Sequence, residues 1–122
     1  MANEESLARE GLPILKSYLQ EAGVKVRRAR SGPSDADWRP DADLEIVLPD
    51  GKRKRLIVEF KANSRSAPLE SAVAQLRSHL DHALSPHGLQ PFLFSVHLGR
   101  PIREWLRHQN IWFADVSGNR FF

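Results

Sequence analysis

The chain has no cysteine, one methionine and one tyrosine. Without cysteine there is no disulfide framework, no thiolate zinc site and no cysteine nucleophile, so the fold must rest on packing alone, and a reducing cytoplasm is the expected compartment. Long apolar runs are missing too. No window approaches the roughly 18 consecutive apolar residues of a membrane span, and the opening Met1-Ala-Asn-Glu-Glu5 lacks the basic region and apolar stretch of a secretory leader. Neither membrane insertion nor secretion is expected. Repeats and low-complexity tracts are absent, and the polar stretch Ser31–Pro40 is too short for an interdomain linker, so residues 1–122 are expected to form one domain. What is present is an ordinary globular composition, 41% apolar and 27% charged. Eighteen Lys and Arg against fifteen Asp and Glu give a net charge of +3, which permits an anionic partner without requiring one.

Hydrophobic spacing orders the elements. Leu12, Leu15, Leu19 and Ala22 recur at helical spacing, Pro13 suits a first helical turn and Gly23 a stop, so a helix is expected over Leu12–Ala22, with an earlier turn from Glu4–Glu10. Val24–Arg30 alternates as a short strand. Asp43–Leu48 alternates, Pro49-Asp-Gly-Lys52 breaks the pattern and Leu56–Lys61 resumes as a strand, which reads as a hairpin with its turn at Asp50-Gly51. Leu69, Ala72, Val73, Leu76, Leu80, Ala83 and Leu84 form one stripe of a helix over Pro68–Leu84. A strand over Pro91–Leu98, a helix over Pro101–His108 with Ile102, Trp105 and Leu106 inward, and a buried strand over Ile111–Val116 follow, with Ser117–Asn119 turning into Arg120–Phe122. The resulting order, α-β-β-β-α-β-α-β, implies an α/β fold, a mixed sheet covered by helices.

Pairing within the hairpin decides which polar residues meet. Setting Leu44 against Val58 and Ile46 against Leu56 keeps apolar partners together, whereas the neighbouring register sets Ile46 against Arg55. The first register is expected. It puts Asp43 across from Glu59, and Asp41 across from Lys61, on the opposite face. Leu56–Lys61 is nearly all apolar apart from Glu59 and Lys61, which marks a central strand where charges without a purpose are costly. Glu59 and Lys61, two apart, share a face. A solvated charge ladder is the plain alternative.

Pro40-Asp41 or Asp43 on one strand and Val58-Glu-Phe-Lys-Ala62 on the next resemble the PD-(D/E)XK nuclease superfamily, the restriction-endonuclease-like fold. The resemblance implies a metal-dependent deoxyribonuclease that hydrolyses phosphodiester bonds with Mg²⁺ or Mn²⁺. Two carboxylates and a carbonyl are hard oxygen ligands that suit such an ion. Carried onto these residues, Asp43 and Glu59 bind the metal, Phe60 adds its carbonyl, and Lys61 is the electrostatic catalyst. Asp41 is the alternative acid and Glu45 a third candidate. Gln75 resembles the helix glutamine of the RecB-like branch, although His79 stands where that branch has a tyrosine; the implied role of Gln75 is catalytic, holding water or phosphate.

His79 and His82 lack a third ligand in helical register, which argues against a zinc site. Arg27, Arg28 and Arg30, then Lys52, Arg53, Lys54 and Arg55, then Arg100, Arg103 and Arg107 form three basic groups. Of these Arg30 and Lys52–Arg55, the latter expected at the hairpin tip, are candidate nucleic-acid contacts, with Trp38 as a base-stacking partner. Asp115-Val-Ser-Gly-Asn119 is similar to a segment of nuclease-like domains that precede a winged helix in bacterial proteins, so the domain is either self-contained or excised from a longer chain. The expected partner is double-stranded DNA, with a homodimer as a further expectation. Two readings stand beside the nuclease: a catalytically inactive DNA-binding or interaction module of the same fold, and a Holliday-junction resolvase.

Overall fold

Helix α1 spans Glu4–Glu21 in the computed structural model, which describes residues 4–31, 41–62, 66–81 and 88–122. Pro13 lies inside this helix rather than in its first turn, a correction to the expected start. An internal proline forfeits one backbone hydrogen bond. The added turns bury Leu7 and seat Gly11 against the sheet, while the Pro13 ring stays exposed, so apolar burial offsets the lost bond. The helix closes as the glycine predicts: Gly23 is left-handed at φ 78°, its N–H donates to Gln20 O and that of Val24 to Leu19 O.

Among the described residues six strands follow in one sheet whose spatial order is the chain order: β1 (Lys25–Ser31), β2 (Ala42–Val47), β3 (Arg53–Lys61), β4 (Leu89–Ser95), β5 (Trp112–Asp115) and β6 (Arg120–Phe121). Pairs β1/β2, β2/β3 and β5/β6 are antiparallel; β3/β4 and β4/β5 are parallel. The parallel pairs are joined by α2 (Ser66–Asp81) and α3 (Arg100–His108), and two right-handed crossovers taken in the same direction leave both helices on one face. The expected α/β order therefore holds, with β6 as the last addition.

Alternation divides the core in two. Ala42, Leu44, Ile46, Leu56, Val58 and Phe60 face α1, where Leu7, Leu15 and Leu19 cover them. Leu93 and Phe113 face the other way, under Leu69, Ala72 and Val73 of α2 and Leu106 of α3. Ile102 and Trp105 pack on this second cluster, half-buried, as their spacing predicts. Trp112 is half-buried, with the Phe122 ring 6.2 Å away and Lys54 Nζ 5.8 Å from its centroid. Among the described residues no helix is long and apolar enough to cross a membrane.

The hairpin register differs from the expected one by two residues. Leu44 pairs with Leu56, Ala42 with Val58 and Asp43 with Ile57. A shift of two preserves every side chain's face, so apolar alternation cannot distinguish the two registers. Loop geometry does. Leu48 N–H donates to Lys52 O at 2.8 Å, Gly51 N–H to Leu48 O at 2.9 Å, and Gly51 has φ 88°. This closes a three-residue Pro49-Asp50-Gly51 loop, where a left-handed glycine is the favoured last residue. Arg53, Lys54 and Arg55 accordingly belong to β3 and not to the hairpin tip.

Candidate active site at the carboxyl end of the parallel strands

In the observed register Asp41, the residue before β2, comes level with Glu59, and the Phe60 N–H donates to Asp41 Oδ2 at 2.8 Å. The carboxylate of Asp41 thus rests on the peptide that follows Glu59. Glu59 itself is 8% exposed, and Lys61 and Asp41 are half-buried. Both β3 residues take the face shared with α2, because Val58 and Phe60 are committed to the α1 side. Lys61, Ser95 and Asp115 stand in one row across β3, β4 and β5, at the carboxyl ends of the parallel strands. Crevices outside those ends are where open α/β sheets bind ligands.

Neighbouring side chains stiffen this edge. Ser95 Oγ, buried, donates to Lys61 O at 2.6 Å and so fixes the peptide that carries the lysine. Asp115, also buried, accepts from Leu98 N at 2.7 Å, Asn119 N at 2.9 Å and Asn119 Nδ2 at 2.9 Å. Its carboxylate organises the ends of β4 and β5. The Asp115–Asn119 segment is thus a tight turn between β5 and β6, tied to α3 by Arg103 Nη1 donating to Asn119 Oδ1 at 2.6 Å. Sequence reasoning missed Ser95 as a site neighbour, although a polar residue ending the apolar run Phe92-Leu-Phe94 was the available signal.

Asp43 is one pair removed. It lies opposite Ile57, not Glu59, which corrects the expected pairing, and its carboxylate holds Arg55 through both oxygens. That hydrogen bond raises the Arg55 pKa above its ordinary value; desolvation opposes it, and the charges of Asp43 and Glu45 add to it. Glu45 is directly across from Arg55. The structure therefore brings together Asp41, Glu59, Phe60 and Lys61, and leaves Asp43 and Glu45 with Arg55. Gln75 is exposed on α2. Trp38 and His82 lie outside the described residues, as do the side chains of Arg30 and His79.

Among the described residues no three His, Cys, Asp or Glu side chains form a metal-binding group. Two carboxylates beside a main-chain carbonyl nonetheless fit Mg²⁺, which takes one or two protein carboxylates and retains several waters. The donor set suits a hard cation and excludes a thiolate-bound one.

No protein-family model matches the sequence, and no curated protein does. Among solved structures, the chain is similar to a repair endonuclease from Pyrococcus abyssi, with a TM-score of 0.59 over 98% of the chain at 17% identity. It is also similar to EndoMS in its apo form, with a TM-score of 0.53 over 95% of the chain at 15% identity. The fold is that of these endonucleases. The chain spans about half their length, 50% and 47% respectively. In this chain the described residues form a six-stranded mixed sheet with three helices, the frame that carries Asp41, Glu59 and Lys61 to one edge.

Proposed function

We infer that the chain is a metal-dependent DNA endonuclease of the PD-(D/E)XK type, hydrolysing phosphodiester bonds in duplex DNA. Asp41 and Glu59 would hold Mg²⁺ or Mn²⁺, with the Phe60 carbonyl as third donor, and Lys61 would be the electrostatic catalyst. The observation that carries this reading is the docking of the Asp41 carboxylate on the Phe60 N–H, one peptide from the buried Glu59, in a fold shared with repair endonucleases. Asp41 thereby replaces Asp43 as the favoured acid.

The bound ion would supply positive charge at the scissile phosphate and a more acidic water. The protein's own share is positioning. Glu59 sits on a central strand paired on both sides, so its carboxylate has little freedom to lose when substrate arrives. Asp41 is anchored by the main chain of that same strand. Lys61 Nζ, on the face of Glu59, donates toward the phosphate oxygen that gains charge as the bond to water forms, and its backbone is held by Ser95. Cutting both strands of a duplex at one place calls for two such centres, so a homodimer is part of the reading.

The test is incubation of the wild type, Glu59→Gln and Lys61→Ala with supercoiled, linear and four-way-junction DNA, with Mg²⁺ and with Mn²⁺. Nicking or linearisation by the wild type, absent in both variants, is the expected result. DNA binding with no cleavage under either metal would make the chain an inactive module of this fold, and selective cutting of junctions would make it a resolvase.

A further inference from the structure

At the other end of β3, about 20 Å from Glu59 and Lys61 by a rise of roughly 3.3 Å per residue, the sheet forms a groove of ≈ 490 Å³. Its charged lining is Arg27, Arg28, Glu45, Arg53, Lys54 and Arg55. Arg28, Glu45 and Arg55 stand in one row across β1, β2 and β3. Strict alternation would send Arg27 and Arg28 to opposite faces, but the register shifts between Val26 and Arg28, and this bulge brings both to the groove. Two basic groups far apart in sequence therefore converge. Five cations less Glu45 and the Asp43 that holds Arg55 give +3, which is the net charge of the whole chain, so everything outside the groove sums to zero. The basic excess of the protein is concentrated there.

A solvated basic face is the ordinary explanation for any one of these groups. Gathering them into one concavity sets like charges side by side, an arrangement a polyanion relieves. Arg53 and Arg55 also share the face of Glu59 and Lys61, by the period of two along β3. Twenty ångströms is about six base pairs at 3.4 Å each.

We propose that this groove cradles the phosphate backbone of duplex DNA on one side of the cleavage site, about six base pairs from the scissile bond. The proposal rests on the nuclease reading for its placement, but binding in EDTA tests it without catalysis. Two charge-reversal pairs take the chain from +3 to −1: Arg27→Glu with Arg53→Glu in the groove, and Arg9→Glu with Lys16→Glu on the exposed side of α1. Binding of a fluorescent duplex of about 24 base pairs is measured from 50 to 200 mM NaCl, with the fold of each variant checked by circular dichroism.

Loss of two phosphate contacts lowers the salt slope by about 1.8, so the groove pair's disadvantage at 50 mM should exceed that at 200 mM by roughly tenfold. The α1 pair should stay within about twofold of the wild type. Milder replacements, Arg27→Gln with Arg53→Gln, should give the same direction if the reversals unfold the sheet. Equal weakening by both pairs, an unchanged slope in the groove pair, no duplex binding by the wild type, or preference for duplex RNA would overturn the proposal. Loss of binding in the groove pair with no cleavage by the wild type under any metal would sink the hydrolase reading and leave the groove standing.

Discussion

Replacing Asp41 by asparagine and, separately, Asp43 by asparagine sets the observed register against the one that apolar alternation alone favours. At Asp41 the amide oxygen can still accept the Phe60 N–H, now at 2.8 Å, so the local structure should persist while one negative charge is lost. If that charge helps hold the ion, its loss should cost about 3 kcal/mol of transition-state stabilisation, on the order of a hundredfold in nicking rate. Asp43 pairs instead with Arg55, and the two side chains are 16% and 49% exposed. Solvent screening limits such a pair to below about 1 kcal/mol, so Asp43→Asn should lower Tm by less than about 5 °C. It should leave nicking within about threefold and, by releasing Arg55, leave duplex binding equal or tighter. Initial rates on supercoiled plasmid give the first comparison. Thermal melting with and without Mn²⁺ gives the second, since an ion at ten times its Kd stabilises the native state by about 1.4 kcal/mol. That increment should vanish in Asp41→Asn and survive in Asp43→Asn. The opposite ranking, with Asp43→Asn inactive and Asp41→Asn unimpaired, would refute the assignment of Asp41.

Gly11 lies where a Cβ would come 2.8 Å from Phe94 Cε1 and 3.1 Å from Phe60 Cε1. Gly11→Val should therefore cost about 2 kcal/mol or more and lower Tm by roughly 8 °C or more, and an unchanged melting curve would show that α1 does not approach the sheet so closely. Asp115→Ala strips the acceptor from Leu98 N and Asn119 N, so urea denaturation should show a loss of about 3 kcal/mol, with less than 1 kcal/mol counting against the role of this carboxylate. Gly51→Ala meets no neighbouring atom but keeps φ 88°, so a loss of about 1 kcal/mol is expected, and Gly51→Asn should lose less.

Much of this fold is legible because its elements are long and periodic. The stripes of α2 and α3 and the alternation of β2 each have one partner face, the apolar run of β4 is buried on both faces, and hydrophobic burial enforces each pattern. The start of α1 was not legible. Pro13 satisfies the rules for a first turn as well as it survives in an exposed interior position, and only the burial of Leu7 and the close seat of Gly11 decide between them. Ser95 and Asp115 became site neighbours through the parallel pairing of β3, β4 and β5, a long-range relation with no local signature. Lys52–Arg55 reads as a tip only until the loop length is known.

The choice between Asp41 and Asp43 turns on the same hairpin loop. Registers two residues apart bury the same apolar side chains, so the energy that normally selects a register is nearly silent between them. What remains is the closure of the loop: with Leu48 as the last paired residue, three residues put Gly51 last, where its left-handed conformation carries no strain, whereas setting Asp43 beside Glu59 would leave five residues unpaired. A glycine in the hairpin loop, roughly 26 Å from Glu59 by a rise of about 3.3 Å per residue and touching no substrate, thus determines which carboxylate stands next to Glu59. Loop length was readable from Pro49-Asp50-Gly51 itself, and applying it before side-chain matching identifies Asp41 as level with Glu59 without a structure.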